Sequence, residues 1–174
     1  MLAGALIESD QEELARAQYD WLTADGWSRI PPDVEYPVIM CGLARMAFRL
    51  QPSIETVTDV YERLLPFAGL FNWTGGTITD ANDLGLAMAA ERLGRPHDTD
   101  RHFTAAIALC DRVGARAYLA RCLLDQTRVL TARGDSTGAR ESGERTIALA
   151  TELGMTGPFG AVPRAEKLLA SLPS

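Results

Sequence analysis

The sequence predicts an all-α protein, an α-solenoid of stacked antiparallel helix pairs with about nine helices. Apolar residues recur at a spacing near 3.6 residues along most of the 174 residues, and this is the period of an amphipathic helix. Glycines end several of these segments, as is common just after a helix. Two segments also match each other at an offset of forty residues. A repeated helix pair buries its apolar stripe only by stacking on its neighbours, which is the physical basis of a solenoid.

The elements of the first half are separated by proline and glycine signals. Asp10, with Glu13 three residues on, predicts a capping box at the start of a helix. Pro31-Pro32 and Pro52-Ser53 mark breaks between helices. The predicted helices of this half span 2–8, 11–23, 35–50 and 53–66.

A loop with unusual content follows at residues 67–76, and the second half then returns to a helical period. Leu93-Gly94 is a typical glycine stop, and Gly114, Gly134 and Gly154 end later helices in the same way. Thr79 or Asp80 is the expected N-cap of the helix after the loop. The predicted helices of this half span 78–93, 97–113, 115–132, 136–153 and 161–172.

Composition limits the classes of function. Lys and Arg number 17 against 23 Asp and Glu, so the net charge is −6, whereas a nucleic-acid-binding domain needs a basic surface. No apolar stretch reaches the ~18 residues of a membrane span, and the N-terminus lacks the basic start of a signal peptide. We therefore expect a single domain over residues 1–174, in the cytoplasm, that binds neither nucleic acid nor membrane.

The three cysteines are predicted to be small, reduced core residues. Cys41, Cys110 and Cys122 form no CxxC pair, and their odd number and wide spacing argue against a disulfide framework or a zinc ribbon. Cys110 and Cys122 lie among apolar residues at helical spacing. Reduced thiols agree with a reducing compartment.

The forty-residue offset defines a repeating helix pair. Gly94 corresponds to Gly134, and Ile107-Ala108-Leu109 corresponds to Ile147-Ala148-Leu149. Each block is a helix between two glycines, preceded by another helix of similar length. The pattern predicts that the large apolar residues of both blocks are mostly buried, namely Phe103, Ile107, Leu109, Ile147 and Leu149.

These units resemble the tetratricopeptide repeat. Leu86-Ala87 matches the large-small pair of that family's first helix, Gly94 its turn and Phe103 the aromatic residue of its second helix. The next unit departs from the pattern at Gly143 and Thr146. The resemblance implies a helical-repeat fold whose first helices line a concave binding face.

A narrower resemblance concerns four strings, residues 61–69, 101–109, 114–121 and 133–135. They are similar to the C-terminal repeat region of large actinobacterial signalling proteins, which join a STAND-type ATPase to a nucleotide cyclase or a LuxR-type DNA-binding domain. In that family the repeat region is the sensor or interaction part. The resemblance implies that this chain is a fragment or stand-alone remnant of such a regulator. The family's nucleotide motif and cyclase carboxylates do not occur in this sequence.

No pattern indicates catalysis, a metal or a cofactor. His97 and His102 are five residues apart, so ~140° separates them on a helix, whereas zinc-binding HExxH histidines share a face. Asp98 and His102 do share a face, but two ligands do not make a site. Gly75-Gly76 lacks the GK[ST] of a phosphate-binding loop. No GxSxG nucleophile elbow is present either.

Two features are candidates for partner binding. Phe67, Phe71 and Trp73 in the loop either pack back on the body or present an anchor for a partner. Charged residues of predicted first helices would project onto the concave face, or else form a solvated face with internal ion pairs. The candidate partner-binding residues are Arg92, Arg121, Asp125, Arg128 and Trp73.

The sequence thus predicts a non-catalytic interaction or sensor scaffold, part of a transcriptional or cyclase signalling protein. Its partner would be a protein segment or another domain, and an acidic peptide suits the arginines because guanidinium groups bind carboxylates in a fork-like geometry. The alternative is a small-molecule sensor whose groove closes around a ligand. An enzyme and a purely structural remnant are the other hypotheses.

Overall fold

The computed structural model describes residues 11–173, and helices make up 70% of these described residues. Eight α-helices occur in this described part. Their bounds are α1 Glu12–Thr23, α2 Tyr36–Leu50, α3 Ile54–Leu64, α4 Asn82–Arg92, α5 Pro96–Arg112, α6 Arg116–Arg133, α7 Ser136–Glu152 and α8 Ala161–Ala170. Between residues 11 and 173, none of these helices combines the length and the apolar character needed to cross a bilayer.

The helix predictions are largely confirmed. Seven of the eight helices begin and end within two residues of the predicted bounds, because each has a local 3.6-residue period and a local stop signal. The predicted helix over residues 2–8 and the Asp10 cap lie outside the described residues.

The expectation of a chain without strands is wrong between α3 and α4. A short 3₁₀ turn, Leu65–Phe67, leads into β1, Phe71–Trp73, which pairs antiparallel with β2, Ile78–Ala81. Phe71 lies opposite Ala81 and Trp73 opposite Ile78. The predicted helix 78–93 therefore starts only at Asn82.

The hairpin forms because its residues favour extended backbone and its turn contains glycine. Gly75 adopts φ +83°, a conformation that other residues rarely take, and the N–H of Thr74 donates to the carbonyl of Thr77 at 3.0 Å. Aromatic and β-branched side chains flank this turn. Strands of three and four residues are too short to show a clear alternation of apolar and polar positions.

Four helix ends share one turn geometry at intervals of twenty residues. In each, a glycine with φ near +70° follows the helix, and the next N–H donates to a carbonyl five residues upstream, which is the Schellman motif. These bonds satisfy carbonyls that a helix end otherwise leaves without a partner. The glycines are Gly94, Gly114, Gly134 and Gly154.

The chain divides into two compact units after Ala106, within α5. In the first unit, α2 packs along α4, and α3 packs on both. Gly85 of α4 lies very close to α2, since a Cβ at this position would be 3.0 Å from the Sγ and 3.1 Å from the Cα of Cys41. The largest fully buried apolar side chains of this unit include Tyr19, Met40, Leu43, Leu50, Leu64, Leu84, Leu86 and Phe103.

In the second unit, α6 and α7 pack along each other and α8 contacts both. Its core of buried residues is rich in alanine and consists of Ala120, Leu124, Ala150, Ala161 and Ala165. Gly143, which departs from the repeat pattern, is where α7 meets α8, because a Cβ there would be 2.7 Å from the Cδ2 of Leu169.

The predicted burial of the repeat positions is confirmed only in part. Phe103 and Leu109 are buried, whereas Ile107 is half-buried. Ile147 and Leu149 are also half-buried, because they pack at the margin of the second unit's core. The described residues therefore confirm the sequential packing of helix pairs. They do not show a solenoid.

The close packing of α4 on α2 predicts opposite effects for two glycine-to-alanine changes. Gly85→Ala should lower the free energy of unfolding by about 1–3 kcal/mol, because the added methyl has to displace the backbone of α2. Gly42→Ala, in α2, meets nothing within 4 Å and should be neutral or stabilise the fold by up to about 1 kcal/mol. Urea denaturation followed by circular dichroism measures both. Equal effects of the two changes would contradict this packing.

Candidate functional site

A chain of buried polar side chains links three helices of the first unit. The Nδ1 atom of His102 in α5 is 2.7 Å from Oδ1 of Asp83 in α4, and its Nε2 atom is 3.0 Å from the hydroxyl of Tyr61 in α3. The side chains of His102 and Asp83 are 1% and 4% exposed. Buried polar groups are costly unless they are hydrogen-bonded, so these three residues form one interdependent network.

The neighbours of His102 assign its tautomer. A guanidinium N–H of Arg101 lies 3.3 Å from Nε2, and a guanidinium group can only donate hydrogen bonds. The Nε2 atom is therefore the acceptor, and Nδ1 carries the hydrogen that it donates to Asp83. Burial, followed by the negative charge of Asp98, raises the pKa of Tyr61, so the hydroxyl stays protonated and donates to Nε2.

The arrangement resembles an acid–base relay, but its histidine is closed off from solvent. Both ring nitrogens of His102 are engaged within the protein, and the residue is 1% exposed. A general base must reach a substrate proton directly or through one water molecule. The network therefore supports a positioning role.

What the network positions is the root of the hairpin. The second oxygen of Asp83, Oδ2, accepts the backbone N–H of Gly69 at 2.5 Å. Next to it, the Asn82 side chain donates to the carbonyl of Phe67 at 3.0 Å, and the backbone N–H of Asn82 donates to the carbonyl of Leu70 at 3.0 Å. Three hydrogen bonds from the first turn of α4 thus hold residues 67–70.

This root carries an exposed apolar surface. Trp73 and Ile78 are cross-strand partners, so their side chains lie on the same face of the hairpin, and they are 53% and 39% exposed. Leu65 and Leu70 at the root are 41% and 55% exposed. We call Leu65, Leu70, Trp73 and Ile78 the hairpin surface. No charged residue lies between Leu65 and Thr79, although 23% of the whole chain is charged.

The three aromatic residues of the loop differ in burial. Phe67 is half-buried and packs on Tyr36 with ring centroids 6.3 Å apart. Phe71 is half-buried as well, whereas Trp73 is mostly exposed. Phe67 and Phe71 therefore pack back on the body, and a role of Trp73 as an anchor for a partner stays a prediction.

The hairpin also contains buried or mostly buried polar residues. Asp80 in β2 lies 3.5 Å from Arg45 in α2, and both side chains are mostly buried. The predicted capping role of Thr79 or Asp80 is wrong, because both residues belong to β2 and the N-cap position is Ala81. Burial raises the pKa of the nearby Cys41 thiol to about 12, so this cysteine is not a nucleophile at neutral pH.

Arg92, a predicted partner-binding residue of the first unit, makes a contact within the protein. A guanidinium N–H of this half-buried side chain donates to the carbonyl of Pro52 at 2.6 Å. It thereby ties the end of α4 to the connection between α2 and α3.

Three further predicted partner-binding residues lie together on α6 in the second unit, namely Arg121, Asp125 and Arg128. Arg128 donates to Asp125 at 2.5 Å, and the two side chains are 15% and 2% exposed. Arg121, one turn before Asp125, is half-buried. Arg128 and Asp125 therefore satisfy each other inside the second unit, which corresponds to the reading of internal ion pairs. Their role in partner binding stays a prediction.

The histidine cluster is divided between surface and core. His97 is exposed, whereas His102 belongs to the buried network. Asp98 accepts a hydrogen bond from Arg101 at 2.8 Å, which lowers the pKa of this carboxyl. Within residues 11–173, no three His, Cys, Asp or Glu side chains are grouped so that they could hold a metal ion. Sequence reasoning missed Asp83, whose spacing to His102 and Tyr61 gave no signal.

Comparison with known proteins adds no relative, since no family model, curated protein or solved structure matches this chain.

The buried network predicts different effects for two isosteric changes. Asp83→Asn should lower the free energy of unfolding by about 1–3 kcal/mol, because the amide NH₂ group would face a donor, either His102 Nδ1–H or Gly69 N–H. Asp98→Asn removes one partner of an exposed pair and should leave the denaturation midpoint almost unchanged. Urea denaturation measures both, and a midpoint for Asp83→Asn equal to the wild-type value would contradict the network.

Proposed function

We propose that this chain is a non-catalytic, tetratricopeptide-like helical scaffold that binds a protein segment. The observation that carries the proposal is the hairpin surface, where four large apolar side chains are exposed in a segment without charge. Trp73 and Ile78 are neighbours across the hairpin, and neighbouring exposed apolar side chains are typical of interaction sites. Tryptophan is also the residue type most enriched among the strongest contributors to protein interfaces.

The rigidity of the hairpin root supports the same function. Hydrogen bonds from Asn82 and Asp83 hold residues 67–70, so the surface is ordered before a partner arrives. A preordered surface pays less conformational entropy on binding than a flexible loop. The partner segment should itself be apolar, since the hairpin surface offers no charge to pair with.

The proposal includes a role for this scaffold as the sensor part of a transcriptional or cyclase signalling protein. It is supported by the resemblance of residues 61–69, 101–109, 114–121 and 133–135 to the repeat region of such regulators. In a regulator of that kind, the scaffold would pass the presence of its partner to a catalytic or DNA-binding domain.

The test compares two tryptophans of similar exposure. Trp73 on the hairpin surface is 53% exposed, and Trp21 on α1 is 58% exposed. Immobilised wild type, Trp73→Ala and Trp21→Ala are incubated with soluble extract of cells that express the protein, and retained proteins are quantified by mass spectrometry. Wild type and Trp21→Ala should retain the same proteins, whereas Trp73→Ala should lose them at least ~10-fold, which corresponds to ~1.4 kcal/mol. Circular dichroism first verifies that all three are folded.

A fourth variant and a change of salt separate the hairpin surface from the arginine positions. Binding through apolar contacts should change little between ~0.1 M and ~0.5 M salt, whereas binding of an acidic segment by arginines would weaken. If Arg121→Glu loses the retained proteins and Trp73→Ala keeps them, the partner surface is on α6. If wild type retains nothing beyond empty beads, the proposed function is wrong.

A further inference from the structure

Two of the three cysteines face each other in the second unit. The Sγ atoms of Cys110 in α5 and Cys122 in α6 are 4.0 Å apart, and both residues are 0% exposed. Both thiols are reduced in this structure. A disulfide bond needs an S–S distance of about 2.05 Å, so each sulfur has to move by roughly 1 Å.

The two cysteines lie on either side of a tight turn. Cys110 and Cys122 flank the Gly114 turn, whose glycine has φ +68° and whose Ala115 N–H donates to the Cys110 carbonyl at 2.9 Å. The two residues are only twelve positions apart and are already in contact through their side chains. The native fold already brings the two ends of this short loop together, so forming the bond requires no large movement of the chain. Cys41 lies in the first unit, where the structure places neither of the other two cysteines.

We propose that Cys110 and Cys122 are an oxidation site of this protein, forming an intramolecular disulfide that locks the end of α5 to α6. The oxidant is a hydroperoxide such as hydrogen peroxide. One thiol loses its proton, and the sulfur of the resulting thiolate attacks the peroxide. An S–O bond forms and the O–O bond breaks, which gives a sulfenic acid and a hydroxide ion. The hydroxide takes up a proton, equivalent to the one that the thiol released, and becomes water. The second thiol then attacks that sulfur, so that the S–S bond forms, the S–O bond breaks and a second water molecule leaves. The sulfur pair loses two electrons and the peroxide gains them.

Burial sets the rate of this reaction. Peroxide reaches the pair only when the Gly114 turn opens, because both thiols are inaccessible in the closed structure. The first oxidation is therefore slow, whereas the second step is fast, since the partner sulfur is in contact. The product should be the disulfide, with little accumulation of sulfenic acid.

The experiment oxidises the reduced full-length chain under native conditions. After treatment with excess hydrogen peroxide and removal of the oxidant, the protein is unfolded, remaining thiols are alkylated, and the mass and peptides are analysed. The expected result is one alkylated cysteine, Cys41, and one peptide pair linked through Cys110 and Cys122. Three alkylated cysteines, or a linkage that involves Cys41, would overturn the proposal.

Matched variants and a stability measurement complete the test. Cys41→Ser should still form the linkage, whereas Cys122→Ser should not. In wild type and Cys41→Ser, the oxidised form should unfold at a higher urea concentration than the reduced form, because a cross-link restricts the unfolded chain. An oxidised form that unfolds at a lower urea concentration would show that the bond distorts the helix pair, and this would overturn the proposed lock. Because none of these readouts involves a partner, the outcome is independent of the proposed function.

Discussion

The carboxylate of Asp83 is the contact on which the arrangement of the first unit depends. One oxygen accepts from His102 and the other from the backbone of Gly69, so a single buried side chain joins α4 to α5 and to the root of the hairpin. A buried carboxylate is tolerated only when its oxygens are satisfied. The hydrogen bonds of Asp83 therefore fix the position of the hairpin root relative to α4. The exposed residues of the hairpin follow this root along the chain.

The hairpin buries both polar and apolar residues. Asn72 and Ala81 are buried, and Asp80 is mostly buried close to Arg45 of α2. Phe71 is half-buried, whereas Trp73 and Ile78 are exposed. A buried polar side chain is tolerated when it finds a partner, so the Asp80–Arg45 contact ties β2 to α2.

In the second unit, a buried carboxylate is paired with an arginine of its own helix. Asp125 is almost fully buried on α6 and is paired with Arg128 one turn later. Removing one partner of a buried ion pair strongly destabilises the fold. A substitution of Arg128 would therefore lower the free energy of unfolding as well as change any binding at this position. Arg121 is the better position on α6 for testing a charged interface.

The sequence by itself determined the bounds of seven of the eight described helices to within two residues. A period of 3.6 residues and a glycine with left-handed backbone are local properties, and they identify α5, α6 and α7 to within one residue. The hairpin did not follow in the same way, because its strands are too short for a periodic signal and their pairing depends on contacts with α2 and α4.

Tertiary structure alone decided the candidate sites. Tyr61, Asp83 and His102 are brought together from three helices, and no spacing along the chain indicates their contact. Packing likewise turned Phe67 and Phe71 inward and left Trp73 exposed, and it placed Cys110 against Cys122. The physical reason is that helix propensity and capping act over a few neighbouring residues, whereas burial and hydrogen bonding between distant side chains depend on which helix faces meet.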